Sequence, residues 1–240
     1  MNERPPSAWP GVAGPLVALA AMGYAHLVAA DTVNPMGGLI SDYALRDGSA
    51  WAMVVGTTAL AMGCLWVAYL LVRVEPVRGA AARALFVASA LGLLLTAAFP
   101  TDAAPGVVSV AGEIHRWSAA VVLTALPCAG WMLGRRSGNG PLAAVSVFST
   151  GLLVWFLAAH PGSLVSELIE GADHYGLAQR LLVLSQMTLI LMAALWAGHR
   201  DDASAHRSAV RARDLAIPAQ LSPGDSPDDT RHPRQPIGLG

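Results

Sequence analysis

The apolar residues of this chain fall into six blocks of about twenty, rather than into the one-face stripes of amphipathic soluble helices. The blocks cover residues 11–30, 50–72, 84–99, 114–133, 141–159 and 176–198, and polar, Gly- or Pro-containing turns separate them. That length is what an α-helix needs to cross about 30 Å of hydrocarbon. The pattern predicts an all-α, polytopic membrane protein: a six-transmembrane-helix bundle over 11–198, after a Pro-rich head at 1–10. The tail at 199–240 is rich in Asp, Arg, Ser and Pro, has no periodic apolar face and is expected to be disordered. Val28-Ala29-Ala30 loosely fits a signal-peptide cleavage site. The first block, however, is longer than the usual signal core of about 7–15 residues, and His26 within it favours a retained span.

Composition agrees with lipid as the solvent. The chain is 54% apolar and only 13% charged, with a mean hydropathy of +0.50, whereas soluble domains are about 25% charged. A net charge of −1 leaves no electrostatic footprint for nucleic acid. The expected partners are the lipid bilayer and a small-molecule or lipid ligand, with no nucleic acid and no cofactor. All 15 basic residues are Arg, which with the abundance of Ala, Gly and Val suggests a high-GC bacterial origin and hence the bacterial plasma membrane. Cys64 and Cys128 both lie within predicted spans and read as small buried side chains, with a mid-membrane disulfide as the other option.

Charge placement orients the bundle. Arg73, Arg78, Arg83, Arg135, Arg136, Arg200 and the head and tail arginines share one side, and only Arg46, Arg116 and Arg180 lie on or near the other. Basic loops are retained in the cytoplasm, so both termini are expected to be cytoplasmic. The opposite side collects Asp31, Asp42, Asp47, Asp102, Glu113, Glu167, Glu170 and Asp173. The pairs Ala59 and Gly63, and Ala88 and Gly92, have the small-residue spacing that lets helices approach closely.

Ionisable groups in or beside hydrocarbon are costly and mark candidate sites. Here they gather at the acidic end: His26, Glu113, His115, Arg116, His160 and Arg180, with the neutral amide of Gln179 beside Arg180 and with Asp31, Asp42, Asp102 and His174 in the loops. Arg180, about one turn into the sixth block, needs a carboxylate or a water-filled recess, and Asp102, Asp42 and Glu113 are at compatible depth. His115 and Ser118 share a helix face, while Arg116 points away, to snorkel or to pair with an acid. His26 and His160 are weak candidates for a metal or haem ligand, because no paired-His motif accompanies them.

Four short stretches combine into a family resemblance: Asn34-Pro35 with Ile40-Ser41-Asp42-Tyr43, Phe99-Pro100-Thr101-Asp102, His115 with Ser118-Ala119-Ala120, and Gly176-Leu177-Ala178-Gln179-Arg180. Together they resemble the bacterial membrane family catalogued as domain of unknown function 998, over roughly residues 11–198. The resemblance implies about six spans and no assigned reaction. It places Ser41, Asp42, Tyr43, Asp102, His115, Gln179 and Arg180 among the family's motif positions, all at the end that charge counting singles out.

Three functional classes follow. The first is a binding bundle whose outward polar cluster takes a small molecule or lipid headgroup, anchored by Arg180 and Asp102. The second is a membrane-embedded metal-dependent lipid hydrolase resembling the ceramidase and progestin-receptor-like superfamily, with Asp102, His115 and His160 on zinc. The third is a transporter, although no span carries a mid-depth charge and no inverted repeat is evident.

Overall fold

Each apolar block forms one helix. The structure, a computed structural model, describes residues 7–103 and 107–220. Its helices are α1 (Trp9–Val28), α2 (Ala50–Val74), α3 (Ala80–Ala98), α4 (Val110–Ser137), α5 (Gly140–Ala159) and α6 (Gly171–Gln220), and the described residues contain no strand. All six are long and apolar enough to span a bilayer, so the chain is a multi-pass membrane protein.

Several helices outrun their apolar blocks. α3 starts at Ala80 rather than 84, α4 covers Val110–Ser137 rather than 114–133, and α6 begins at Gly171 rather than 176. Hydropathy locates the edge of the lipid, whereas capping decides where a helix stops. The Ser109 hydroxyl accepts from the Gly112 N–H at 3.0 Å and starts α4. Gly138, with φ of 69°, closes α4 in the left-handed conformation that glycine adopts without strain. Asn139 then caps α5 through the Leu142 N–H.

Contacts divide the chain into Met1–Ala203, which holds the bundle, and Ser204–Gly240. α6 continues from the first unit into the second as far as Gln220, across a stretch expected to be disordered. Ala and Arg, frequent in that stretch, are strong helix formers. Residues 221–240 of the expected tail lie outside the described residues.

With lipid outside, the usual polarity of a protein is relaxed. Phe148, Val154, Leu91 and Met62 face outward, while Ser89, Ser118, Ser146, Ser149 and Ser185 are buried between helices. Ser185 donates to Ser149 at 2.9 Å across the α5–α6 seam. Glycines set the close crossings: a Cβ on Gly14 of α1 would lie 2.5 Å from the Ala59 carbonyl and 3.0 Å from the Gly63 Cα on α2. The Ala59/Gly63 spacing thus serves α1, and Gly92 serves α4, where a Cβ would lie 2.9 Å from the Ser118 carbonyl. Cys64 and Cys128 are both free, the first buried and the second exposed.

One end of the bundle is bound by arginines. Arg73 pairs with Asp201 at 3.1 Å and Arg200 with Glu75 at 3.2 Å, joining α2 to α6, and Arg136 donates to the Arg78 carbonyl across the neighbouring turns. At the other end the loop after α1, expected to be simply polar, folds back into the bundle. Its short 3₁₀ helix, Ile40–Leu45, buries Ile40 and Tyr43.

Candidate functional site

The loop 34–45 is seated by hydrogen bonds from its own side chains and from α6. The Asn34 side chain accepts from the Met36 N–H at 3.0 Å, and Asp42 Oδ2 accepts from the Leu39 N–H at 2.8 Å. The Leu177 N–H donates to the Met36 carbonyl at 2.9 Å. Gly176 permits this approach, since a Cβ there would collide with the Gly38 carbonyl.

Arg180 completes the attachment. It is 6% exposed and lies nine residues, about two and a half turns, into α6 rather than one. Its Nε donates to His26 Nε2 at 2.9 Å, Nη1 to the carbonyls of Gly38 at 2.6 Å and Gly176 at 3.0 Å, and Nη2 to the Tyr43 hydroxyl at 2.9 Å. The guanidinium carbon also lies 5.5 Å from the Tyr43 ring centre. Of the two surroundings expected for Arg180, a carboxylate or a water-filled recess, the carboxylate is not found: among the described residues none pairs with Arg180, and oriented carbonyls, a hydroxyl and an imidazole satisfy its planar fork. His26 Nδ1 faces the Met22 carbonyl at 2.9 Å, so it carries the proton and Nε2 supplies the lone pair to Arg180. Both ring nitrogens are engaged, which leaves neither for the metal or haem role suggested for His26.

Asp102 belongs to a second, separate cluster. Its Oδ1 accepts from the Ser109 hydroxyl at 2.6 Å and the Ser109 N–H at 3.1 Å, and its Oδ2 pairs with Arg116 at 3.3 Å. Arg116 also pairs with Glu113 at 2.8 Å, which fulfils the sideways acid pairing considered for it. His115 Nδ1 donates to the Phe99 carbonyl at 2.9 Å. These bonds fasten the end of α3 to the start of α4. His160 is exposed at the end of α5, where Nδ1 accepts from the Gly162 N–H at 2.9 Å. Asp102, His115 and His160 are thus held by different partners, and among the described residues no three His, Cys, Asp or Glu side chains assemble as metal ligands.

Between the two clusters is a cavity of about 330 Å³ walled by α1, α2, α3, α4 and α6 and roofed by the 3₁₀ helix. Its walls include Leu60, Leu93, Val122 and Met187, and its rim near the acidic end carries Ser41, His115 and Gln179. Gln179 Oε1 accepts from the Ile40 N–H at 2.7 Å, which leaves its amide N–H groups available. His115, protonated on Nδ1 toward Phe99, retains Nε2 as an acceptor. Deeper in the cavity are Thr57, Thr96 and Gln186, none of them singled out from the sequence. Of the seven motif residues, Ser41, His115 and Gln179 line the cavity, while Asp42, Tyr43, Asp102 and Arg180 hold its surroundings in place. The polarity of Thr57, Thr96 and Gln186 inside apolar blocks is the signal the sequence carries for the deep wall.

Residues 12–196 match the family described as Protein of unknown function (DUF998). No curated protein and no solved structure matches the chain.

Proposed function

The chain belongs to the DUF998 family, and from that premise together with the cavity's geometry we propose that it is a membrane-embedded binding protein for an amphipathic small molecule or lipid. One observation carries the reading: an apolar-walled cavity whose rim presents Ser41, His115 and Gln179 with hydrogen-bonding capacity unspent. Small-molecule sites have this character, a mostly apolar lining with a few polar groups that fix orientation. The cavity extends along α2 from Ala50 to Leu60, about 15 Å, or half the hydrocarbon thickness. An apolar tail would lie there with its polar end at the rim.

In this reading Arg180 and Asp102 do not anchor the ligand. Arg180 fixes the roof and Asp102 fixes the start of α4, so the rim residues are presented at constant spacing. The arginine distribution turns the acidic end outward from the cytoplasm of a bacterial plasma membrane.

Ala119, one turn below His115 on α4, lines the cavity. Solvent extracts of the purified protein and of Ala119→Trp, compared by mass spectrometry, should contain a stoichiometric small molecule in the first and lack it in the second. Thr57→Trp plugs the cavity from α2 and should give the same loss if Ala119→Trp fails to accumulate. Identical extracts from well-folded wild-type and plugged proteins would refute the reading.

A further inference from the structure

Gln179 and Gln186 are seven residues apart on α6, so both face the cavity from one side of the helix, about 10 Å apart along its axis. Their remaining hydrogen-bonding capacities are opposite in kind. Gln179 has spent its oxygen on the Ile40 N–H and retains N–H donors. Gln186 has spent an N–H on the Leu123 carbonyl at 3.1 Å and retains its oxygen. Gln186 is 2% exposed, and among the described residues nothing donates to that oxygen. That oxygen opens on the cavity rather than being sealed between helices, so a donor group in the cavity can reach it.

Charge gives the second constraint. Asp, Glu, Lys and Arg are absent from the residues that line the cavity. The nearest charged motif groups are committed elsewhere: Arg180 to His26, Gly38, Gly176 and Tyr43, Asp42 to Leu39, and Asp102 to Ser109 and Arg116. Beyond the rim, where His115 lies, a carboxylate, phosphate or ammonium buried in the cavity would find no counter-charge. The volume of about 330 Å³ is near the lower end of small-molecule sites, room for one chain rather than the two of a phospholipid.

Resting on the binding reading above, we propose that the ligand is an uncharged single-chain amphiphile with a polar group at each end. A carbonyl or hydroxyl oxygen accepts from Gln179 at the rim, and a hydroxyl donates to Gln186 about 10 Å deeper.

The test uses the full chain in nanodiscs with decanediol, decanol and decanoate as probes, read by isothermal titration calorimetry, with Ala119→Trp supplying the partition background. Decanediol should bind about fivefold tighter than decanol, the worth of one hydrogen bond, and decanoate at least about tenfold weaker than decanol. Gln186→Leu should bring decanediol down to the affinity of decanol and leave decanol unchanged. Decanoate binding as tightly as the alcohols, or a diol advantage that survives Gln186→Leu, would overturn the uncharged two-ended ligand while leaving a binding cavity in place. Absence of saturable binding by all three probes would overturn the binding reading itself.

Discussion

At the scale of single residues, Arg180 shows how a membrane protein can keep a cation without an anion. Three oxygen acceptors and one imidazole nitrogen surround a guanidinium whose planar fork reaches all of them at once. Arg180→Ala should lower the unfolding free energy by on the order of 3 kcal/mol, since hydrogen bonds to a charged group are worth about 1.5–3 kcal/mol each and the loop's carbonyls lose their donor. Arg180→Lys should recover no more than part of that, because an ammonium cannot reproduce the fork. Denaturant titration in detergent micelles measures both. Gly176→Ala attacks the same attachment from the backbone side, where a methyl group meets the Gly38 carbonyl. It should destabilise by about 1–3 kcal/mol and expose the loop 34–45 to limited proteolysis, while a neighbouring control such as Ala172→Gly, at an exposed position, leaves the loop protected.

At the scale of elements, the start of α4 is organised by a carboxylate from outside the helix. Asp102 accepts from both donors of Ser109, the residue that caps α4, and a side chain on Gly112 would run into that carboxylate. Asp102→Ala should therefore cost about 1–2 kcal/mol, the usual worth of a helix cap with its partners, in thermal unfolding followed by circular dichroism. The loss of cavity binding should be small, because His115 remains tied to Phe99. A large loss of binding with unchanged stability would instead make Asp102 a ligand contact. The motif Phe99-Pro100-Thr101-Asp102 with downstream His115 is legible in the sequence as a unit. Its role as a joint between α3 and α4 is visible only when both helices are in place.

At the scale of the whole molecule, two latches define the bundle: ion pairs joining α2 to α6 at the arginine end, and the folded loop on α6 at the acidic end. The orientation of these ends follows from charge placement and is open to direct measurement. In a background with Cys64 and Cys128 replaced by Ala, L164C on the fully exposed loop position should react with a membrane-impermeant maleimide on intact cells. N139C, in the tight turn beside Arg135 and Arg136, should react only after the cells are opened. The reverse pattern would invert the topology.

Six spans, their order and the gathering of polar groups at one end were all readable from the chain, because membrane insertion depends on local hydropathy and loop charge summed over about twenty residues. Which of those polar groups faces a cavity and which is locked in a joint depends on contacts between residues 139 positions apart, such as Ile40 with Gln179. The same limit explains why the sequence points to a carboxylate or a water-filled recess for Arg180: two of its acceptors are the carbonyls of Gly38 and Gly176, and backbone groups have no letter in a sequence. Gln186 does not stand out in the sequence because a single neutral amide barely changes the hydropathy of its block, although its side chain bonds the Leu123 carbonyl and lines the deep wall of the cavity.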